Sequence, residues 1–267
     1  MKKLGVLLIL GIATTILLTG CKPKGDPLTP ITAYYQDIKD GNVEGSYDQL
    51  AESTKKNFGK ADFIKWQNTG SELRTLKEFK LEKSNEYKNK VIEGTKYKNV
   101  IEFNVVEIQQ DLYAGKEVTG NYKRNVVNDN GVWKVYREKV NVKDSIAENT
   151  VNIAYMYSEG KGGKTKDLNQ AVTILNEALK YNKDYAPIYY ALGSTYSDLT
   201  RYDEALVAIN TFIPKITDKL QKSDGYNVLG NTYLGKENIA KAKESYKKAL
   251  ELNPNNQYAR TNSVQLK

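Results

Sequence analysis

One thiol is placed where it could do chemistry. Cys21 is the only cysteine in the 267 residues, and it closes the segment MKKLGVLLILGIATTILLTGC. Its sulfur, as thiolate, is a nucleophile that can be alkylated. Lys2 and Lys3 supply a positive start, and an uncharged apolar run follows from Leu4 to Leu18. Thr19 and Gly20 then offer small residues before the thiol. These are the parts of a secretory signal peptide. The run is short for a bilayer-spanning helix, which needs about 20 apolar residues. A secretory leader ending in these small residues is therefore expected.

Other chemistry is mostly excluded. The chain has no histidine, so it has no histidine triad, no histidine metal ligand and no imidazole base. With the single thiol taken by the leader junction, disulfides and cysteine–zinc sites are excluded as well. No paired carboxylates stand out at a spacing suited to acid–base work. GKGGK at 160–164 is glycine-rich but lacks the six-residue glycine spacing of a phosphate loop, and reads as an inter-helix loop. No catalysis, cofactor or metal is expected.

Leu18-Thr19-Gly20-Cys21 resembles the bacterial lipobox. That resemblance implies a diacylglyceryl thioether on Cys21, cleavage just before it that removes a leader over residues 1–20, and acylation of the new amino terminus, by palmitate for example. The mature protein would then sit on the extracytoplasmic face of the cell membrane. Each buried methylene contributes about 0.8 kcal/mol, so two or three chains hold firmly.

The formal charge is +8, of which Lys2 and Lys3 supply two. Arginine occurs only at 74, 124, 137, 201 and 260, and acidic residues interleave with the lysines. Such mixing reads as a solvated surface, so no nucleic-acid partner is expected.

Several elements must carry these residues. Residues 21–30 form a proline-rich tether, and nine extended residues reach at most roughly 30 Å. From Ile31 to about Leu73 the apolar period is helical and predicts three helices, the first stopped by Asp40-Gly41-Asn42. From about Leu76 to Arg137 the period is two. Ile101, Phe103 and Val105 share a face, then Val106 and Ile108 do. That slip predicts a β-bulge and a curved sheet. Residues 117–127 and 131–138 read as a hairpin, with Trp133, Val135 and Arg137 on one face and Trp133 in the core.

A helix ending in Asp-Gly-Asn, a short second helix and a last strand Asn-Gly-Val-Trp-Lys-Val resemble the nuclear-transport-factor-2-like, or cystatin-like, superfamily. The resemblance implies a cone with a sheet-lined pocket over residues 31–140.

From Asp144 the helical period returns and the sequence repeats. Residues 223–256 resemble the tetratricopeptide repeat at Tyr226, Leu229, Gly230, Tyr233, Ala242, Tyr246, Ala249 and Pro254, and match its length of about 34 residues. A second unit over 186–219 carries Tyr189, Leu192, Gly193, Tyr196, Ala205 and Ile209, but has Phe212 where alanine is usual and Pro214 where the helix should end. A splayed junction is expected there. A first unit, 147–185, has a longer loop similar to Sel-like repeats. Residues 257–267 read as a capping helix.

The fold expected is thus two domains. An α+β cone, three helices on a bent antiparallel sheet, precedes an all-α solenoid over 146–267 with about three helix pairs and a capping helix. By resemblance, the partner-facing places are Val151, Tyr155 and Ser158; Tyr190, Ser194 and Ser197; and Asn227, Asn231 and Leu234. Each trio has the i, i+4, i+7 spacing of one helix face. Tyrosine and asparagine suit an extended peptide. The expectation is a lipid-anchored scaffold that binds a protein or peptide partner. The alternative is a binding lipoprotein whose cone takes a small apolar ligand or an envelope component.

Overall fold

A computed structural model describes residues 23–266. The leader and Cys21 lie outside the described residues. Among the described residues there are eleven helices and four strands, the strands all in the amino-terminal half.

Helix α1 (Leu28–Lys39) buries Pro30, Ile31, Tyr34 and Tyr35. Gly41, at φ +75°, turns the chain. Asn42 then caps α2 (Val43–Asp48) by accepting from the Gly45 amide at 3.2 Å. The sequence predicted two further helical pieces here. The structure has α2, α3 (Glu52–Asn57) and α4 (Lys60–Ser71), so four helices precede the sheet rather than three. Gly70 lies inside α4 and does not break it. Phe58 leaves helical geometry between α3 and α4 because its ring fills the core at 0% exposure.

The sheet is antiparallel in the order β1-β2-β3-β4. Its strands are β1 (Arg74–Ile92), β2 (Thr95–Asp111), β3 (Lys116–Asp129) and β4 (Val132–Tyr136). Two of its turns are two-residue loops with both φ angles positive, Glu93-Gly94 and Asn130-Gly131. That geometry matches the strand twist. The predicted bulge is present but misplaced. Pairing of β2 with β3 is continuous from Val100↔Val127 to Asp111↔Lys116. The register shifts lie between Leu76 and Glu78 and between Lys83 and Asn85, both on β1. The apolar slip at Val105–Val106 instead reflects a strand covered on both faces.

Helices and sheet close one core. Ile31, Tyr34, Tyr35, Leu50, Phe58 and Phe63 pack against Leu76, Ile101, Phe103, Val105, Val126 and Val135. The open edge of β4 is covered, since Lys24 and Leu50 bridge to Val132 and Val135. Covering an edge removes a template for unwanted pairing. Trp133 is only half-buried at the rim, and its indole N–H donates to the Gly25 carbonyl at 3.2 Å. It fastens the tether while its partly buried ring packs against the edge of the core.

Seven helices follow: α5 (Val142–Glu159), α6 (Leu168–Tyr181), α7 (Ala186–Asp198), α8 (Tyr202–Lys215), α9 (Lys219–Gly235), α10 (Ile239–Leu252) and α11 (Gln257–Val264). Asp167, Asp218, Asn238 and Asn256 cap their helices through side-chain oxygens. The α8–α9 junction is packed, not splayed. Phe212 fills it together with Val228 and Leu229. Gly225 makes the room: a Cβ there would come within 2.8 Å of the Phe212 ring. Pro214 sits in the last turn of α8, and the helix ends one residue later.

Helix α5 is buried widely, with Ile146, Ala147 and Met156 at 0% exposure. It packs on α4 as well as on α6. Asn149 donates to the Thr69 hydroxyl at 3.2 Å, and Tyr113 donates to Glu159 at 2.7 Å. A fragment of residues 144–267 is therefore expected to show a helical circular-dichroism spectrum but to melt several degrees below the intact protein. Each kcal/mol is worth about 2–4 °C at this size. A fragment melting with the intact chain would show that α5 takes no support from α4, and an unfolded fragment would overturn the division into two units.

Candidate functional site

Two surfaces can meet a ligand, a row of first helices and a cleft. Helix α5 packs on α7, α7 on α9 and α9 on α11. The first helix of each pair thus forms a continuous row. The predicted places fall along it unevenly. Val151 is 4% exposed inside the core of the first pairs and offers a partner no surface. Tyr155 is half-buried, and burial raises its phenol well above the ordinary value. The half-buried Ser158 hydroxyl is spent on the Tyr155 carbonyl at 3.1 Å.

Tyr190 lies against the Phe212 ring, centroids 5.2 Å apart. Burial pushes its phenol up to about 12. Ser194 and Ser197 are half-buried on the same helix. On α9 the two amides are already engaged from α11. Asn262 donates to Asn227 at 3.1 Å and to Asn231 at 2.8 Å, and Asn231 also accepts from the Tyr246 hydroxyl at 2.7 Å. Leu234 packs on the last cluster beside Tyr246. The capping helix adds a residue that repeat spacing did not single out. Tyr258 is 75% exposed, the most open large aromatic side chain on this row. Its only sequence signal was an apolar ring on an otherwise polar helix. The row is thus a half-buried tyrosine track with amides at one end, suited to hydrogen-bonding and covering an extended chain.

The second surface is a cleft of about 950 Å³ between the first unit and α5. Tyr35, Trp66, Leu76, Arg124 and Arg137 line it, and Tyr155 stands at its mouth with α5. Arg124 Nε donates to the Tyr35 hydroxyl at 3.2 Å, and Arg137 Nη1 donates to the Tyr34 hydroxyl at 3.3 Å. Glu107 is 8% exposed and accepts from Gln109 at 2.6 Å. Sequence reasoning placed Arg137 on the face of Val135 but did not pair it with Arg124.

The glycine-rich stretch at 160–164 is a chain reversal. Gly160, Gly162 and Gly163 all have positive φ, and Gly162 passes close to Met156 and the Leu112 carbonyl. Among the described residues no group of three or more histidine, cysteine, aspartate or glutamate residues is arranged to hold a metal ion. No described helix is long and apolar enough to cross a membrane.

Comparison with known proteins bears on the helical half. Residues 223–256 match the tetratricopeptide repeat family, and residues 186–213 match a second model of that repeat. These are the helix pairs α9–α10 and α7–α8. Heat shock protein STI1 of Saccharomyces cerevisiae (strain ATCC 204508 / S288c) is 32% identical over 96 residues. The aligned stretch covers 36% of this chain and spans only 16% of the yeast protein.

Proposed function

We propose that this protein is a membrane-anchored extracytoplasmic lipoprotein whose repeat row binds a protein or peptide partner. The carrying observation is the tyrosine track from Tyr155 through Tyr190 to Tyr258, laid across first helices of which two belong to tetratricopeptide repeats. Lysines that could grip a terminal carboxylate are absent from Tyr155, Tyr190, Ser194, Ser197, Asn227 and Asn231. An internal, extended segment of the partner therefore suits the row better than a chain end. The leader, the lipidated Cys21 and the absence of catalysis belong to the same proposal, supported by the pattern of the first 21 residues.

The test begins with crosslinking in the intact envelope to obtain the partner. Asn231→Ala is a poor probe, because it strands the Tyr246 hydroxyl and the Asn262 amide. Tyr258→Ala combined with Ser194→Arg changes the row without touching the core. Capture of the purified partner is expected to fall at least tenfold. The melting temperature should barely move, since surface substitutions usually cost within about 0.5 kcal/mol. Unchanged capture would move the binding site off this row.

A second reading has its own observation. The cleft of about 950 Å³ is large enough for a small ligand. With four helices before a bulged, curved sheet, it suits a nuclear-transport-factor-2-like cone used as a binding pocket.

A further inference from the structure

The cleft holds two arginines side by side, each of which also donates to the hydroxyl of a buried tyrosine. Arg124 comes just before Asn125 and Arg137 just after Tyr136, the last couple of β3 and β4, so continuing the antiparallel register sets the two arginines opposite one another. Like charges in that relation destabilise a sheet. Both line the cleft. Arg124 has a distant counter-charge in Glu138, at 3.8 Å. Among the described residues no carboxylate lies within ion-pair distance of Arg137, although Glu138 and Glu107 act on it from farther off. Its guanidinium lies 5.6 Å from the Trp66 ring centre and donates to the Tyr34 hydroxyl. A guanidinium has five N–H donors, so the pair keeps donors to spend on an anion.

The rest of the cleft limits what that anion is. Ile38, Val43, Leu73 and Leu76 give it an apolar wall. Glu107, buried beside Gln109 in the same cleft, disfavours a second negative group. We propose that the cleft binds a monoanionic amphiphile, with its carboxylate on Arg124 and Arg137 and its apolar chain along Ile38, Val43 and Leu76. The inference rests on the cleft being a binding pocket; of the repeat row it involves only Tyr155, which also lines the cleft.

Trp66 serves as the reporter. The chain has two tryptophans, so Trp133→Phe leaves only the one beside Arg137. Its fluorescence would be titrated near neutral pH with laurate below the micelle concentration, with dodecanol and with dodecylamine. Saturable binding of laurate is expected, at least tenfold tighter than dodecanol, with no saturable response to the amine. Arg137→Met and Arg124→Met should each weaken laurate at least tenfold, because a guanidinium–carboxylate bond is charge-assisted. Should Arg137→Met fail to fold by circular dichroism, Arg124→Met and the head-group series on the parent protein decide. Dodecanol binding as tightly as laurate, or folded arginine variants that bind laurate like the parent, would overturn the anion site alone. No response to any of the three compounds would overturn the pocket reading with it.

Discussion

Gly230→Leu is expected to unfold the last repeat and lower the melting temperature by about 10 °C. A Cβ at Gly230 would lie 2.4 Å from Cε1 and 2.6 Å from Cδ1 of Tyr246. Tyr246 cannot swing away. It is 0% exposed, and its hydroxyl is tied to Asn231 at 2.7 Å. Overpacking of this kind costs about 1–3 kcal/mol or more, and each kcal/mol is worth about 2–4 °C at this size. The cause can be isolated. Tyr246→Ala in the Gly230→Leu background should recover part of the loss, because the new side chain enters the space of the ring. A Gly230→Leu protein melting with the parent would show that α9 and α10 are not in the close contact described. Gly193 makes a graded comparison: its Cβ would meet Ile209 at 3.3 Å, and Gly193→Ala should cost little.

Cys21→Ala is expected to abolish lipid attachment. Only the Cys21 thiol can form the thioether, since no other cysteine exists. The protein should either be released or accumulate with its leader uncleaved, and palmitate labelling should disappear. Several acyl chains at about 0.8 kcal/mol per methylene leave no intermediate outcome. A mutant that stays in the membrane fraction and keeps its label would end the lipoprotein proposal.

Repeat spacing located the helical half well because each helix pair repeats the same apolar grammar. Gly193, Gly230, Ala205 and Ala242 sit where two helices approach, as their spacing implied. The sheet was harder. KSNEYKNKVIEG, residues 83–94, continues β1 well beyond the first apolar alternation and turns into β2. Its few apolar residues, Tyr87, Val91 and Ile92, do not alternate, so period two leaves no trace in it, although Tyr87 and Ile92 pack on a small cluster around Tyr97 and Tyr136. Its tip is held by tertiary bonds that no local pattern announces: Glu93 accepts from the Tyr136 hydroxyl at 2.6 Å and from the Lys139 amide at 3.1 Å. The candidate sites divide in the same way. Tyr155 and Tyr190 followed from helix spacing. Tyr258 and Asn262 did not, because they belong to a capping helix outside the repeat. The Arg124–Arg137 pair needed the strand register, which sequence alone did not supply.

The fastening of the amino-terminal segment alters what an anchor at Cys21 would mean. Pro23 is buried, Lys24 donates to the Gly131 carbonyl at 3.1 Å, and Trp133 holds the Gly25 carbonyl. Only Lys22 separates Cys21 from Pro23, a span of about 7 Å at full stretch. The flexible leash of roughly 30 Å expected from the sequence thus contracts to a short pivot. A lipid at Cys21 would set the folded body directly on the head groups, with its tilt governed by a few backbone torsions. Partners would then meet the repeat row at a fixed height above the bilayer, so that lateral diffusion in the membrane plane, more than reach, decides which neighbours it encounters.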